Sequence, residues 1–300
     1  MHILITGGTG LIGRSLSRLL TDKGYNLTIL SRSPHRVAQL CSGASGIGSL
    51  QELDASVEIN AVINLAGAPI ADLPWTAARR KLLEESRIDL TSRLVDWINS
   101  RENPPGVLVS GSAIGWYGDR GDEELNENST PGSGDFASQL CQQWEAEALR
   151  AQDSGCRVAL IRTAPVMAAD GGMLARLLPI YRLGLGGRLG NGKQWMPWIH
   201  IQDIVALFDH VLHTPECSGP YNGCAPLPVT NAEFTRTLAA TLKRPALLPA
   251  PAWLLKLILG EMSMLLLGGQ NLRPGRTSES GFNWQYPDLA QALQQILQKN

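Results

Sequence analysis

The sequence predicts an α/β protein built on a doubly wound parallel sheet, with a smaller substrate-side lobe in the C-terminal part of the chain. Two observations carry this prediction. Short apolar runs suited to buried strands alternate with segments that repeat apolar residues at helical spacing, and a glycine-rich turn follows the first run. The chain has 300 residues, 44% of them hydrophobic. It is therefore long enough for one large domain or two unequal ones.

The chain opens with a strand, a loop and a helix. "HILIT" is the apolar run, "GGTGLIG" is the loop, and "RSLSRLLTDKG" has helical periodicity. Glycines placed here let the backbone turn tightly, approach a pyrophosphate and direct the helix N-terminus at it. A structural turn would also use glycines, so the position directly after the first strand is what favours a dinucleotide site. The residues expected to line that site are Gly7, Thr9, Gly10, Leu11, Ile12 and Gly13.

The second strand, "NLTILSR", ends where a carboxylate would hold the ribose 2′-hydroxyl of NAD. No Asp or Glu stands there. Ser31, Arg32 and Arg36 instead supply a hydroxyl and two guanidinium groups, which suit the 2′-phosphate of NADP. The alternative is that these residues form an ordinary solvated loop. The sequence therefore predicts NADP as the cofactor.

Three further apolar runs continue the sheet. "INAVINLAG" ends in Leu65, Ala66 and Gly67, whose size would let the chain pass close to the cofactor ribose. "PPGVLVSGSA" places Ser110 and Ser112 at the end of the next strand, where Ser110 is expected to contact the cofactor, and "CRVALIRTAPV" supplies another strand. The alternation of these strands with helical segments is typical of a doubly wound sheet.

Five motifs, in order, resemble the extended short-chain dehydrogenase/reductase superfamily, and most closely its atypical branch similar to sugar-nucleotide epimerases. They are "TGGTGLIG" (6–13), "NLAG" (64–67), "SGSAIGWYG" (110–118), "LIRTAPV" (160–166) and "WIHIQDIV" (198–205). The resemblance covers nearly the whole chain. It implies a Rossmann fold, an NADP cofactor, and hydride transfer at a carbinol or carbonyl carbon of a small molecule such as a nucleotide sugar. A homodimer is also expected.

The resemblance implies a catalytic Ser, Tyr and Lys, with the Tyr and Lys four residues apart on one helical face. In "DFASQLCQQWEAEA" that face instead carries Phe136, Leu140 and Trp144. Neither Phe nor Leu can transfer a proton or carry a charge. The usual pair is therefore absent.

Five other residues are candidates for a catalytic, binding or structural role. Ser112 matches the family Ser, and Tyr117 is either a substitute acid or part of the substrate-pocket wall. Arg162 ends a strand beside the expected nicotinamide, with a buried ion pair as its alternative role. His200 is interpreted as structural, with Asp203 expected to cap the following helix.

Charge and cysteine content argue against two kinds of ligand, nucleic acids and metal ions. The formal net charge is −1 and no dense Lys/Arg block occurs, so nucleic acid is not an expected partner. The five cysteines include no Cys-x-x-Cys pair, and no signal peptide precedes the first strand, which together favour the reducing cytoplasm and no metal.

The most hydrophobic stretch, residues 251–269, is interrupted by Lys256, Gly260, Glu261 and Ser263. It is too broken for a membrane span. We interpret it as a core or interface helix, with a membrane-surface or partner-docking role as the alternative.

The domain prediction assigns residues 1–165 and about 198–215 to an NADP-binding Rossmann domain. Residues of about 166–197 and 216–300 are assigned to the smaller lobe. Two functions remain open: an NADP-dependent epimerase or reductase, and a catalytically weak or inactive NADP-binding protein that acts through a partner.

Overall fold

The structure is a computed structural model that describes residues 1–54 and 56–298. Its central element is a sheet of seven parallel strands, and short two-stranded ladders lie outside it. The strands are β1 (His2–Thr6), β2 (Asn26–Leu30), β3 (Ala44–Ile47), β4 (Ala61–Asn64), β5 (Val107–Ala113), β6 (Glu124–Leu125), β7 (Arg157–Thr163), β8 (Val166–Met167), β9 (Trp195–Met196), β10 (Ile199–His200), β11 (Gly219–Gly223), β12 (Val229–Thr230) and β13 (Asn271–Leu272).

The helices flank this sheet or build the C-terminal lobe. They are α1 (Leu11–Asp22), α2 (Val37–Leu40), α3 (Ala77–Glu84), α4 (Leu90–Asn99), α5 (Phe136–Leu149), α6 (Gly172–Arg182), α7 (Ile201–His213), α8 (Asn231–Leu242), α9 (Ala252–Leu259), α10 (Met264–Leu267), α11 (Gly275–Glu279) and α12 (Leu289–Gln298). One π-helical turn, Glu85–Asp89, joins α3 to α4 without a break.

The strand order in the large sheet is β11-β7-β5-β4-β1-β2-β3. The order runs outward in both directions from the β1–β4 pair, so the chain reverses its winding there. In open sheets of this kind, ligands bind in the crevice beyond the carboxyl ends of the strands at that reversal. The predicted doubly wound fold is confirmed, and the glycine-rich loop lies at this crevice.

Alternating side chains along the strands bury both faces of the sheet. Ile3 and Ile5 of β1 belong to the core that α1 and α7 cover, whereas Leu4 belongs to the core on the side of α4. All three side chains are completely buried. Helices therefore cover both faces, and ligand access is left to the strand ends.

The C-terminal lobe has its own core, formed by α6, α8 and α12. The chain also returns to the large sheet later than residue 215, the end predicted for the second Rossmann segment. β11 pairs in parallel with β7 as an edge strand. Its sequence "GPYNG" has low strand propensity, and proline is tolerated at an edge, so the pattern gave no signal for it.

The expected cap on α7 is corrected by the structure. The N-cap residue is His200, whose Nδ1 accepts a hydrogen bond from the Gln202 backbone at 3.1 Å. The Asp203 carboxylate instead accepts from the backbone N–H groups of Gln285 and Tyr286, at 2.7 and 3.0 Å. Asp203 thus attaches the C-terminal segment to α7. Within residues 1–54 and 56–298, no helix is long and apolar enough to cross a membrane.

Candidate functional site

The glycine-rich loop connects β1 to α1 through backbone contacts that exclude side chains. Gly7 has a φ of +68°, and a Cβ there would lie 2.5 Å from the carbonyl group of Leu65. A Cβ on Gly13 would lie 2.4 Å from the Gly7 oxygen. At Gly10, by contrast, only that same oxygen would come within 4 Å, at 3.2 Å. The loop is therefore closed towards the protein at Gly7 and Gly13 and open at Gly10.

The N-terminus of α1 has free capacity for an anion. Its N-cap, Gly10, has no side chain to bond the first N–H groups, and no acidic residue occurs in the first turn. These unpaired donors and the positive end of the helix dipole point out of the loop. A loop of this shape at a helix N-terminus fits a pyrophosphate. Leu11, which follows, packs against Gly171 and Gly172 at the entry to the C-terminal lobe.

The residues after β2 keep their charges available. Arg32 and Arg36 are exposed, and no ion pair to either occurs among the described residues. The hydroxyl of Ser31 accepts a hydrogen bond from the Ser33 backbone at 3.1 Å. Two uncompensated guanidinium groups at this strand end fit a phosphate dianion.

A buried polar network fixes the end of β4, next to the loop. Thr6 donates to the side-chain oxygen of Asn64 at 2.6 Å, and the Ala66 backbone donates to the Thr6 hydroxyl at 3.2 Å. The Asn64 amide donates to the hydroxyls of Thr91 and Ser110, at 2.8 and 3.2 Å. Leu65, Ala66 and Gly67 are thus held in position beside the loop. Ser110 is completely buried within this network, so it supports the strand end from behind.

Ser112 donates to a buried ion pair. Its hydroxyl lies 2.6 Å from Glu145 Oε1. Arg162 donates to the same carboxylate from Nε and Nη2, each at 2.8 Å, and its guanidinium stacks on Trp116 at 3.4 Å. All three polar side chains are buried. The single proton of the Ser112 hydroxyl is therefore used within the protein. The alternative role weighed for Arg162, a buried ion pair, is the arrangement present.

Tyr117 belongs to the same network. Its hydroxyl donates to Asn222 Oδ1 at 2.7 Å and accepts from Arg162 Nη1 at 3.1 Å. The Asn222 amide donates to the Arg273 carbonyl at 3.0 Å, which fixes its orientation. Burial raises the pKa of Tyr117 above its ordinary value, an effect that the nearby Arg162 only partly offsets. A fully buried phenol with a raised pKa is a weak proton donor.

The helical face expected to carry Tyr and Lys is filled with apolar side chains. Phe136 packs edge-on against Trp75, with ring centroids 5.2 Å apart, and Leu140 belongs to the same cluster. Leu83 from α3 and Met262 from the C-terminal segment complete it. The position of the family's proton relay is therefore part of a small core.

Two charged residues of the site were missed by the sequence analysis, Glu145 and Arg87. Arg87 is half-buried and donates from Nη2 to the Ala68 carbonyl at 2.9 Å, and it lies 5.4 Å from the Trp144 ring. Its guanidinium is 3.0 Å from where a Cβ of Gly67 would stand. Among the described residues no carboxylate forms an ion pair with it, and burial lowers its pKa.

Neither residue gave a sequence signal. Arg87 lies in the π-helical turn between α3 and α4, and Glu145 follows Trp144 on α5. Their contacts join residues far apart in the chain, which periodicity does not reveal.

The glycine-rich loop lies where the strand order of the parallel sheet reverses, and the helix that follows it has an N-terminus open to an anion. These two features define a protein of the dinucleotide-binding class. The chain belongs to the NAD dependent epimerase/dehydratase family, whose model matches residues 3–222. A second match, to a domain of unknown function designated DUF1731, covers residues 250–296. The resemblance inferred from the motifs is thereby confirmed.

Relatives extend over the whole chain. An epimerase family protein of Arabidopsis thaliana, the chloroplastic SDR39U1 homolog, is 39% identical over 305 residues, covering 99% of this chain and 87% of its own. The crystal structure of human epimerase family protein SDR39U1 with NADPH has a TM-score of 0.91 and 34% identity, covering 100% of both chains. UDP-glucuronic acid 4-epimerase from Bacillus cereus has a TM-score of 0.78 at 15% identity, covers 100% of this chain and 99% of its own, and shows the fold alone.

Proposed function

We propose that this protein binds NADP(H) at the carboxyl ends of β1, β2 and β4, and that cofactor binding rather than rapid epimerisation is its main activity. The observation that carries the proposal is the glycine loop, which is closed to side chains at Gly7 and Gly13 and open at Gly10. The human relative crystallised with NADPH supports the same cofactor. A cytoplasmic location is proposed because all five cysteines are unpaired and buried.

Each part of the crevice has a distinct task in this proposal. The N-terminus of α1 holds the pyrophosphate, and Arg32 and Arg36 hold the 2′-phosphate. Residues 65–67 line the ribose, where small side chains allow close approach. When bound, NADPH supplies a hydride to a carbonyl carbon. Arg162 holds the Glu145 carboxylate, which also accepts the hydrogen bond from Ser112.

Such a reaction needs a proton donor, and the side chains near the site are poor donors. Ser112 already donates to Glu145, and Tyr117 is enclosed between Arg162 and Asn222. Phe136 replaces the family's Tyr. Because positioned proton transfer contributes about 10²–10⁴ in rate, we expect hydride transfer to be slow and to take its proton from water.

A second candidate function is reduction or epimerisation of an anionic substrate such as a nucleotide sugar. The observation in its favour is Arg87, a half-buried cation beside Gly67 with no carboxylate paired to it among the described residues. A phosphate or carboxylate of a second ligand would satisfy its remaining N–H groups. Steady turnover of NADPH with one member of a panel of nucleotide sugars and small ketones would favour this candidate.

The test of the main proposal is calorimetric titration with NADPH and NADH. The wild-type protein should bind NADPH more tightly, and Arg32→Ala should weaken NADPH binding by about 1.5–3 kcal/mol, roughly 10-fold to 150-fold, while leaving NADH binding unchanged. Arg93→Ala, an exposed arginine on α4, is the matched control and should change neither. Equal affinities for the two cofactors, or an Arg32→Ala variant with its preference intact, would overturn the assignment.

A further inference from the structure

The helix α9 exposes apolar side chains that a globular protein would ordinarily bury. Every residue of α9 except Lys256 is apolar, and none of them is fully buried. Trp253 is 67% exposed, Leu257 75% and Ile258 63%. Of the two roles predicted for this stretch, α9 does not fit that of a core helix, and that of an interface helix stays a prediction. An apolar face of this extent on the surface usually marks a binding site.

Neighbouring segments continue the same apolar surface. Residues 184–190 run beside residues 245–252, joined by backbone hydrogen bonds from Leu248 to Gly186 (3.1 Å) and from Ala250 to Arg188 (2.9 Å). The second segment leads directly into α9 and exposes Leu247 (81%), and Leu183 (74%) lies just before the first segment. We call the surface formed by 180–190 and 243–258 the apolar face.

The two sequence stretches that contain the apolar face, residues 171–202 and 234–260, carry only positive formal charges. Neither residues 171–202 nor residues 234–260 contain an Asp or Glu. They contain eight cations: Arg176, Arg182, Arg188, Lys193, Arg236, Lys243, Arg244 and Lys256. Among the described residues, only Arg176 of these forms an ion pair, with Asp72. Since the whole chain has a net charge of −1, this excess is a local property.

We propose that the apolar face binds the surface of a membrane containing anionic lipids. Exposed Leu, Ile and Trp side chains enter the boundary between headgroups and acyl chains, while surrounding Lys and Arg side chains are attracted to lipid phosphates. Lys256 lies among the apolar residues of α9, and its long chain allows the ammonium group to reach the headgroups. Attachment of this kind needs no membrane-spanning helix.

Charge also decides against a second copy of the chain as the occupant. A two-fold symmetric contact through this face would bring the same cations together from both subunits. Like charges facing each other at an interface cost several kcal/mol. An anionic bilayer supplies both the negative charge and the apolar phase that the face lacks.

Co-sedimentation with vesicles tests the proposal, using phosphatidylcholine alone and phosphatidylcholine with about 30% phosphatidylglycerol. Binding is expected with the anionic vesicles and is expected to weaken as salt rises, because screening reduces the attraction. Lys243→Gln/Arg244→Gln should lower the partition coefficient about 30-fold, at about fivefold per charge. Leu247→Ser/Leu257→Ser should lower it at least about tenfold.

Matched controls replace residues outside the apolar face. Arg18→Gln/Arg93→Gln removes two exposed cations from α1 and α4, and Leu82→Ser/Leu149→Ser removes two exposed leucines. These variants should bind vesicles as the wild type does, and all variants should keep the wild-type melting temperature. The proposal is overturned by a lack of binding to either vesicle, by equal losses in the controls, or by a dimer in analytical ultracentrifugation that Leu247→Ser/Leu257→Ser dissociates. It is also overturned if an acidic protein, but no vesicle, binds the face.

Discussion

Replacing Arg162 with methionine should destabilise the protein far more than removing a surface ion pair. In the folded protein Arg162 makes two hydrogen bonds to Glu145 at 2.8 Å and one to the Tyr117 hydroxyl at 3.1 Å, and all three side chains are buried. Met is of similar length, and it removes the charge, the donors and the stacking of the guanidinium on Trp116. Glu145 would then keep its buried negative charge with Ser112 as the remaining partner.

The magnitude follows from the contacts that are lost. A hydrogen bond between charged groups contributes about 1.5–3 kcal/mol, and breaking a buried ion pair from one side costs about 3–5 kcal/mol. We expect Arg162→Met to lower the free energy of unfolding by about 3–5 kcal/mol. At about 2 °C per kcal/mol for a chain of this size, the melting temperature should fall by about 6–10 °C.

The assay is thermal unfolding monitored by circular dichroism. Glu145→Met and the double variant Arg162→Met/Glu145→Met are measured together with Arg162→Met. The double variant should lose less than the two single variants together, by about 2–3 kcal/mol, because no charge is left unpaired. Arg150→Met is the control, since its ion pairs with Glu147 and Asp96 are on the surface, where such pairs contribute little to stability. An Arg162→Met variant as stable as Arg150→Met, or fully additive single effects, would refute the structural role of the pair.

Three further predictions concern the glycine-rich loop and the thiols. Gly10→Val should abolish NADPH binding in calorimetry and lower the melting temperature less than Gly13→Val does, because a Cβ there meets only the Gly7 oxygen, at 3.2 Å; a folded variant with wild-type affinity would contradict the loop assignment. Gly13→Val should lower both affinity and melting temperature, because its Cβ would lie 2.4 Å from that oxygen, and an unchanged melting temperature would argue against the tight packing. Burial raises the pKa of Cys141 to about 12 and of Cys156 to about 11, so both stay protonated well above neutral pH. Labelling with an aromatic disulfide at about pH 8 should therefore be slow in the native protein and fast after unfolding; rapid labelling of either thiol in the native protein would contradict this burial.

Local chemistry made the first half of the fold predictable. A glycine loop after a buried strand has few structural uses, so "HILIT" and "GGTGLIG" were enough to place β1, the loop and α1. The doubly wound sheet followed from apolar runs that the structure forms as β1, β2, β4, β5 and β7. The edge strand β11 was not predicted, because glycine and proline dominate its sequence. It is a strand only because it pairs with β7.

Only the features of the candidate site that depend on a single residue at a single position could be predicted from the sequence. The loss of the Tyr and Lys could be seen at Phe136 and Leu140, but the core that covers them needs Trp75 and Met262 from distant segments. The role of Glu145 is apparent only from its ion pair with Arg162, which lies on another element. The concentration of cations near α9 was missed for the same reason, since the segment with Arg182 and Arg188 comes beside residues 245–252 only in the fold.

The two family matches describe one cooperative unit rather than two modules. The segment after α9 adds β13 to β6, and Trp284 donates to the Cys224 carbonyl at 2.9 Å. Phe282 is part of the main core, and Leu293 of α12 is part of the core of the lobe. A truncation after residue 249 would therefore open both cores and leave Asp203 without its backbone partners. The C-terminal segment therefore completes both cores. Limited proteolysis should find no stable fragment that ends before it.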